Sequence, residues 1–252
     1  MKKQSNQAIV IILAATIFLS GWIWTRCSAE ESSIKDALVL SLSFDKVEES
    51  DSQKIIIDES GHDNHGMLQS GKIVRGKIGN ALECNAINRT DGVSVADDDS
   101  LDLDAVTLSV WIKTDQVDGQ WNRILDKSWR TGYNLCVGGD YNGDKSKRHQ
   151  LSLETAMNCH YSKTPVTDGK WHHIAATYDG KTSRIYIDGK LNSEKISDTK
   201  IPLQHNDVDI RIGQLAFPEP SPHEHAFFDG LIDEVRVYNR VLSAQEIQQL
   251  YQ

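Results

Sequence analysis

Trp171-His172-His173-Ile174-Ala175-Ala176-Thr177-Tyr178-Asp179-Gly180, followed closely by Arg184-Ile185-Tyr186-Ile187-Asp188-Gly189, decides the class of this fold. At a period of two, Ile174, Ala176 and Tyr178 share one face of a strand, while His173, Ala175 and Thr177 share the other. Asp-Gly supplies the turn, because glycine reaches positive φ without a Cβ clash. Ile185 and Ile187 then alternate in the returning strand. The pair predicts an antiparallel hairpin, and with it an antiparallel β protein.

Outward from this hairpin the pattern repeats. Leu38, Leu40, Leu42 and Phe44 alternate within a first strand over 37–44. Val106, Leu108, Val110 and Ile112 share one parity, with Thr107, Ser109, Trp111 and Lys113 on the other, which predicts a long strand covered on its aliphatic face. Shorter strands are expected at 66–69, 73–75, 81–84, 92–95, 123–126, 133–137, 150–154, 209–212 and 228–237. Asp, Asn and Gly turns separate them, and helical periodicity is almost absent, so the class is all-β, a two-sheet sandwich or jelly roll. One helix is expected at the C-terminal end. Ser243 and Glu246 form a capping box, and Leu242 and Ile247 stand at the spacing of a hydrophobic staple. Phe217-Pro218-Glu219-Pro220-Ser221-Pro222 cannot form a central strand, since its prolines remove donors, and reads as a protruding loop.

The first residues stand outside this pattern. Lys2 and Lys3 precede an apolar run from Ala8 to Trp24, and Cys27-Ser28-Ala29 offers small residues for a signal peptidase before Glu30. The expected organisation is residues 1–29 as a signal peptide or N-terminal membrane anchor and residues 30–252 as one domain. Cleavage implies export; retention of residues 8–24, with Trp22 and Trp24 at an interface, implies anchoring. Arg26 stands before Cys27 where a lipoprotein signal has a small residue. Of the cysteines, Cys84 sits in an apolar strand and reads as buried. Cys136 and Cys159 flank Asn142-Gly143 out of register for a disulfide on straight strands, which a bend near Asn158 would rescue. The net charge of −9 argues against nucleic acid and suits calcium as well as plain solubility.

Four segments in order carry a family likeness: Phe44-Asp45; Asp58-x-Ser60-Gly61-x-x-Asn64-His65-Gly66; the Trp171 hairpin; and Gly230-Leu231-Ile232-Asp233-Glu234-Val235-Arg236-Val237-Tyr238-Asn239-Arg240 running into Leu242-Ser243. Together they resemble the laminin G-like jelly rolls of the concanavalin A-like lectin/glucanase superfamily, especially the bacterial secreted members. The resemblance implies a two-sheet antiparallel jelly-roll sandwich with a short C-terminal helix, a binding module more often than an enzyme, and a structural calcium near the chain termini. The positions here that match its ligands are Asp45, Asp58, Asn64 and Asp233. Their oxygens suit a hard cation, although Asp58 and Asn64 are also ordinary turn residues.

The remaining constellations are weaker. A glycosidase needs two carboxylates at a set separation, and the superfamily's glucanase pattern Glu-x-Asp-x-x-Glu does not occur here. Asp229, Asp233 and Glu234 come nearest, with Asp233 and Glu234 expected on opposite faces, so no enzyme activity is expected. Asp140-Tyr141-Asn142-Gly143-Asp144 opens like a calcium loop but continues with Lys145 and places Leu151 at position twelve, so it is no EF-hand. His223-Glu224-His225, and His62 with His65, read as solvated loops. Trp121, Trp129, Tyr141 and Tyr161 are the ligand-binding candidates. Flat rings stack on sugar C–H faces, although Trp121 and Trp129 would equally serve a core. The expectation is a non-catalytic extracytoplasmic module, secreted, periplasmic or at the cell surface, that binds a polysaccharide or glycan. A module for contact or adhesion with cell-surface proteins stands as the alternative, because one fold serves both, and a divergent glycosidase or lyase ranks third.

Overall fold

A computed structural model describes residues 33–50, 53–85, 90–115, 121–128, 131–138, 145–156, 158–216 and 227–252. The chain divides into two units, residues 1–37 and 38–252. In the first, residues 33–36 form one helical turn, closed where Ala37 N donates to Ile34 O at 3.3 Å. The expected signal or anchor segment lies outside the described residues.

The second unit is an antiparallel β sandwich. Its strands are β1 Leu38–Leu42, β2 Val47–Ser50, β3 Gln53–Ile56, β4 Gly66–Ser70, β5 Lys72–Arg75, β6 Asn80–Cys84, β7 Gly92–Val95, β8 Val106–Lys113 and β9 Trp121–Lys127. They continue as β10 Tyr133–Gly138, β11 Gln150–Thr155, β12 Asn158–Pro165, β13 Trp171–Tyr178, β14 Thr182–Ile187, β15 Lys190–Ile196, β16 Ile210–Ile212 and β17 Gly230–Tyr238. One sheet runs β15-β14-β13-β8-β17-β6-β5, with β1 also on β17; the other runs β12-β11-β10-β9-β16-β7-β4-β3-β2. The inner faces meet as one core: Val106, Leu108, Val110, Ile112, Ile174, Ala176 and Val237 from the first sheet, with Ile56, Val93, Leu125, Leu135, Leu153 and Ile212 from the second. The parity of β8 therefore reads through into the core as expected.

The decisive hairpin forms β13 and β14, with Ile174 opposite Ile187 and Tyr178 opposite Ser183. Gly180 takes φ +87°, and Asp179 Oδ1 accepts from Lys181 N and Thr182 N at 2.9 and 2.7 Å. The second Asp-Gly does the same work in two residues. Asp188 and Gly189 both have positive φ (+50° and +72°), the backbone of a type I′ turn, and they lead into β15. His172 Nδ1 bonds Asp188 Oδ2 at 3.0 Å, and His173 N donates to Asp188 Oδ1 at 3.0 Å, so the histidines brace the hairpin. β2, β3, β12 and β15 show no strand periodicity in the sequence. They are polar segments at or next to sheet edges, where charged side chains are the rule.

Helix α1, Ala244–Tyr251, carries the expected capping box: Ser243 Oγ accepts from Glu246 N, and Glu246 Oε2 accepts from Ser243 N at 2.7 Å. Leu242 and Ile247 are both buried. Tyr251 stacks on Trp111 at 5.7 Å between ring centroids, and His173 lies 5.3 Å from Trp111. The helix thereby shields the outer face of β8, where Thr107 Oγ1 donates to Arg240 O and accepts from Leu242 N. Trp111 is thus a packing residue. Among the described residues Cys84, Cys136 and Cys159 are free thiols. Cys136 pairs across to Ser152 and Cys159 to Glu154, leaving β11 between the two cysteines.

Candidate functional site

The outward face of β9–β12 is polar. Register places Asp126, Asn134, Glu154 and Cys159 side by side in one row, and Arg123, Cys136, Ser152 and Tyr161 in the next. Neighbouring strands lie about 4.8 Å apart, so each row is a continuous patch. A bulge between Arg123 and Leu125 keeps Arg123 and Asp126 on the same face although they are three residues apart. Arg123 Nη1 donates to Glu154 Oε2 at 2.6 Å, and Asn134 Nδ2 donates to the same oxygen at 2.9 Å. Cys159 Sγ donates to Glu154 Oε1 at 3.5 Å. Arg123 Nε faces Asp126 Oδ2 at 3.9 Å, and that oxygen accepts from Ala216 N at 3.3 Å.

This network is buried, and its charges feel it. Desolvation pushes the Asp126 carboxyl up to about 6, against the pull of Arg123. Burial raises Cys159 to about 12 and Cys136 well above the usual thiol range, so neither is a ready nucleophile. Three side-chain oxygens of the patch are buried with no hydrogen-bond partner among the described residues: Asp126 Oδ1, Asn134 Oδ1 and Ser152 Oγ.

Two of the four expected aromatics meet on this face. Trp121, at the start of β9, and Tyr161, on β12, are half-buried, with ring centroids 6.5 Å apart and planes tilted by 35°. The Arg123 guanidinium lies 5.6 Å from the Trp121 ring, and Lys147 Nζ lies 5.5 Å from the Tyr161 ring. Trp129 and Tyr141 lie outside the described residues, as do Asn142-Gly143 and the Pro218 and His223 loops. Sequence reasoning named the aromatics and missed the polar residues beside them. Their signal was present as the polar parity of β10 and β11, opposite Leu135, Val137, Leu151 and Leu153 in the core.

The four expected metal ligands separate into two pairs by their bonds. Asp58 and Asn64 tie a loop to β1. Asp58 Oδ1 accepts from Ser41 N and Ser60 N, Oδ2 accepts from Ser60 Oγ and Asn64 N, and Asn64 Nδ2 donates to Val39 O and Ser100 Oγ. Asp45 and Asp233 instead grip the loop between β5 and β6. Asp233 Oδ2 accepts from Lys77 N and Ile78 N at 2.9 Å each, and Asp45 Oδ1 accepts from Asn80 N at 2.7 Å. The loop glycines permit the approach: a Cβ on Gly76 would stand 2.6 Å from Asp233 Oδ2, and one on Gly79 would strike the Asp45 carboxylate. Asp233 sits where β17 changes partner, from β6 at Gly230–Ile232 to β1 at Val235–Tyr238. A bulge there, with Glu234 at φ +52°, buries Glu234 as well as Asp233 and overrides the expected alternation of the two. Burial, with Glu234 adding to it, raises Asp233 to about 6, and Asp233 Oδ1 is buried without a partner among the described residues. Two carboxylates, one with a bare oxygen, against a glycine-bearing loop are a donor set that fits a hard cation. Among the described residues no three His, Cys, Asp or Glu side chains converge as a metal group, so backbone and water oxygens would have to complete the shell.

A cavity of about 620 Å³ opens at the ends of β6, β8 and β17, lined by both charge signs, among them Lys72, Glu83, Lys113 and Asp115.

Residues 88–248 match the laminin G-like profile of the concanavalin A-like lectin/glucanases superfamily. The chain belongs to this superfamily. Among solved structures, this laminin G-like chain superposes on the binding domain of Paraclostridial Mosquitocidal Protein 1 with a TM-score of 0.64 at 20% identity, covering 86% of this chain and 52% of that one. It superposes on domain 4 of AbnA, a GH43 arabinanase from Geobacillus stearothermophilus in complex with arabinotriose, with a TM-score of 0.61 at 19% identity, covering 85% and 98%. The ligand-binding domain of botulinum neurotoxin serotype D, in complex with N-acetylneuraminic acid, gives 0.60 at 17%, covering 87% and 52%. At these identities the likeness is one of fold. Curated relatives are human pappalysin-1, 29% identical over 107 residues, and the rat sushi, von Willebrand factor type A, EGF and pentraxin domain-containing protein 1, 28% identical over 156 residues. Those matches cover 35% and 59% of this laminin G-like chain and only 6% and 4% of the relatives.

Proposed function

We propose that this chain is an exported, non-catalytic module that binds glycans on the polar face of β9–β12 and carries a structural calcium ion at the Asp45–Asp233 junction. The observation that supports the glycan reading most is the half-buried Trp121–Tyr161 ring pair on this polar face, flanked by Arg123 and Lys147. Rings that stack on C–H faces beside groups that bond hydroxyls are what a sugar requires. The fold neighbours complexed with arabinotriose and N-acetylneuraminic acid support the same class of ligand. A hydrolytic role is disfavoured because Glu154 is held by Arg123, Asn134 and Cys159 and has no free part in proton transfer.

Calcium at the junction is supported by the bare Asp233 oxygen and the cradle of Gly76 and Gly79. Asp45 and Asp233 would hold the ion, which would supply positive charge where two carboxylates and Glu234 crowd. The chain itself ties the β1–β2 turn, the Gly76–Asn80 loop and β17 together through these residues. A second reading, docking to a cell-surface protein, draws on β15, whose Leu191 and Ile196 are 55% and 61% exposed at a sheet edge.

A glycan array with the purified protein tests the main reading. Trp121→Ala and Tyr161→Ala should each weaken the best signal at least tenfold with unchanged thermal unfolding. Binding that survives both changes would move the site off this face, and an array without any signal would leave the protein-docking reading.

A further inference from the structure

The cavity at the ends of β6, β8 and β17 belongs to the other sheet from the Trp121–Tyr161 face and has no part in the glycan reading. Its volume of about 620 Å³ falls within the ~300–1,000 Å³ of small-molecule sites. We propose that this cavity binds short peptides with free termini, holding the ammonium end at Glu83 and the carboxylate end at Lys113.

Register builds the site. Lys113 stands opposite Leu231, Leu231 opposite Glu83, and Glu83 opposite Lys72, so β8, β17, β6 and β5 carry these four in one row. All four line the cavity. They point outward, because the next row, Ile112, Ile232, Leu82 and Ile73, packs in the core. Lys72 and Lys113 are exposed and Glu83 and Leu231 are half-buried, so a ligand can reach each of them. Trp171, also half-buried, extends the row beside Lys113.

Charge selects the ligand. Among the described residues no ion pair or side-chain hydrogen bond engages Lys72, Glu83 or Lys113. Around the cavity these two lysines face the carboxylates of Glu83, Asp91, Asp115 and Asp229. A simple anion meets four acids, and a simple cation leaves two ammonium groups unanswered; a zwitterion complements both signs. The acids gather at the end of β6. Burial first, then Asp91, Asp229 and Glu83, push the Cys84 thiol there well above its usual range. That negative end suits the ligand's ammonium, and a thiol so raised is no nucleophile, so the site binds without covalent chemistry.

Spacing sets the length. Neighbouring strands lie about 4.8 Å apart, so Glu83 and Lys113, two strands from each other, are separated by about 10 Å. A peptide of about three residues spans that at ~3.3–3.6 Å per residue. Leu231 between them gives the middle of the peptide an apolar contact, and Lys72 can donate to a peptide carbonyl. A single amino acid reaches one of the two charges and misses the other.

Titration calorimetry and amide-resolved NMR on the whole protein test this, with alanyl-leucyl-alanine as the probe. The free tripeptide should bind and shift the amides of Glu83, Leu231 and Lys113. N-acetylation and C-amidation should each weaken it by roughly threefold to fivefold, the yield of one exposed charge pair. Glu83→Gln should weaken the free peptide but leave the N-acetylated one unchanged, and Lys113→Ala should do the same for the amidated one. A doubly capped peptide that binds as well as the free one would overturn the inference, as would alanine binding as tightly as the tripeptide. Shifts at these amides from arabinan or glucan trisaccharides and none from the peptide would make the cavity a sugar site and overturn the peptide class. No shift there with any probe at millimolar concentration would remove the site. Each result leaves the glycan reading at Trp121 and Tyr161 to be decided by the array. The capped and free peptides on the unaltered protein settle the question even if a variant fails to fold.

Discussion

Replacing Asp233 with Asn removes one charge and almost no volume, and it separates burial from metal binding. Asp233 is 0% exposed, and burial raises its carboxyl from 3.8 to about 6. A folded value above the unfolded one means that the native state binds the extra proton between those limits. The stability it contributes is full below pH 4 and is lost as pH rises through about 6. At about 1.4 kcal/mol per pH unit, the ionised group costs the fold up to about 3 kcal/mol at pH 7. The Asn side chain keeps an oxygen for Lys77 N and Ile78 N, but it puts a buried N–H₂ group where the bare Oδ1 stood, and the desolvation of that donor returns roughly half of the gain. In chelator at pH 7, Asp233→Asn should therefore be more stable by about 1–2 kcal/mol, or roughly 3–6 °C in Tm for a domain of this size. At pH 4 the advantage should vanish, because wild-type Asp233 is then protonated. Millimolar calcium should reverse the order. Mass action at a hundredfold excess over Kd stabilises the wild type by about 2.7 kcal/mol, and the Asp233→Asn variant should not respond. Differential scanning calorimetry at both pH values, with chelator and with calcium, gives all four readings. A variant less stable than wild type in chelator at pH 7 would refute the claim that a bare, desolvated carboxylate sits at 233. A wild type indifferent to calcium would remove the metal.

The buried pair makes a larger prediction: Arg123→Ala strands Glu154 without its partner and should cost about 3–5 kcal/mol in urea unfolding, whereas a loss below about 1 kcal/mol would mean that water already reaches the carboxylate. At the other end of the chain, Ser243→Ala should cost about 1 kcal/mol by removing the cap on α1 while Ser243→Asp holds stability; equal Tm values for all three proteins would show that the helix is held by Leu242 and Ile247 alone. In the core, Leu108→Ala should cost about 2–5 kcal/mol, and a smaller loss would place its side chain off the sheet-to-sheet interface.

The class and most strands were legible because their signals are local. A period of two, an Asp-Gly turn and a capping box each act within a few residues, so β8, the β13–β14 hairpin and α1 appear in the structure where the sequence puts them. The aromatic candidates Trp121 and Tyr161 were equally legible as residue types. What no local pattern carries is which strand lies beside which. The rows Asp126–Asn134–Glu154 and Arg123–Cys136–Ser152–Tyr161 exist only because β9, β10, β11 and β12 pair in one register, and a slip of one residue would send those side chains into the core. The same holds at the junction. Asp45 and Asp233 stand 188 positions apart in the chain, and Asp58 and Asn64, nearer to Asp45 in sequence, are engaged by Ser41, Ser60 and Val39 instead. Alternation placed Asp233 and Glu234 on opposite faces; a bulge where β17 exchanges β6 for β1 buried both. Side-chain chemistry is written residue by residue, but burial and convergence come from packing two sheets. The pattern of the chain therefore determined the sandwich and the strands that bear its candidate rings, while only the tertiary structure decided which oxygens lose their water and face one another.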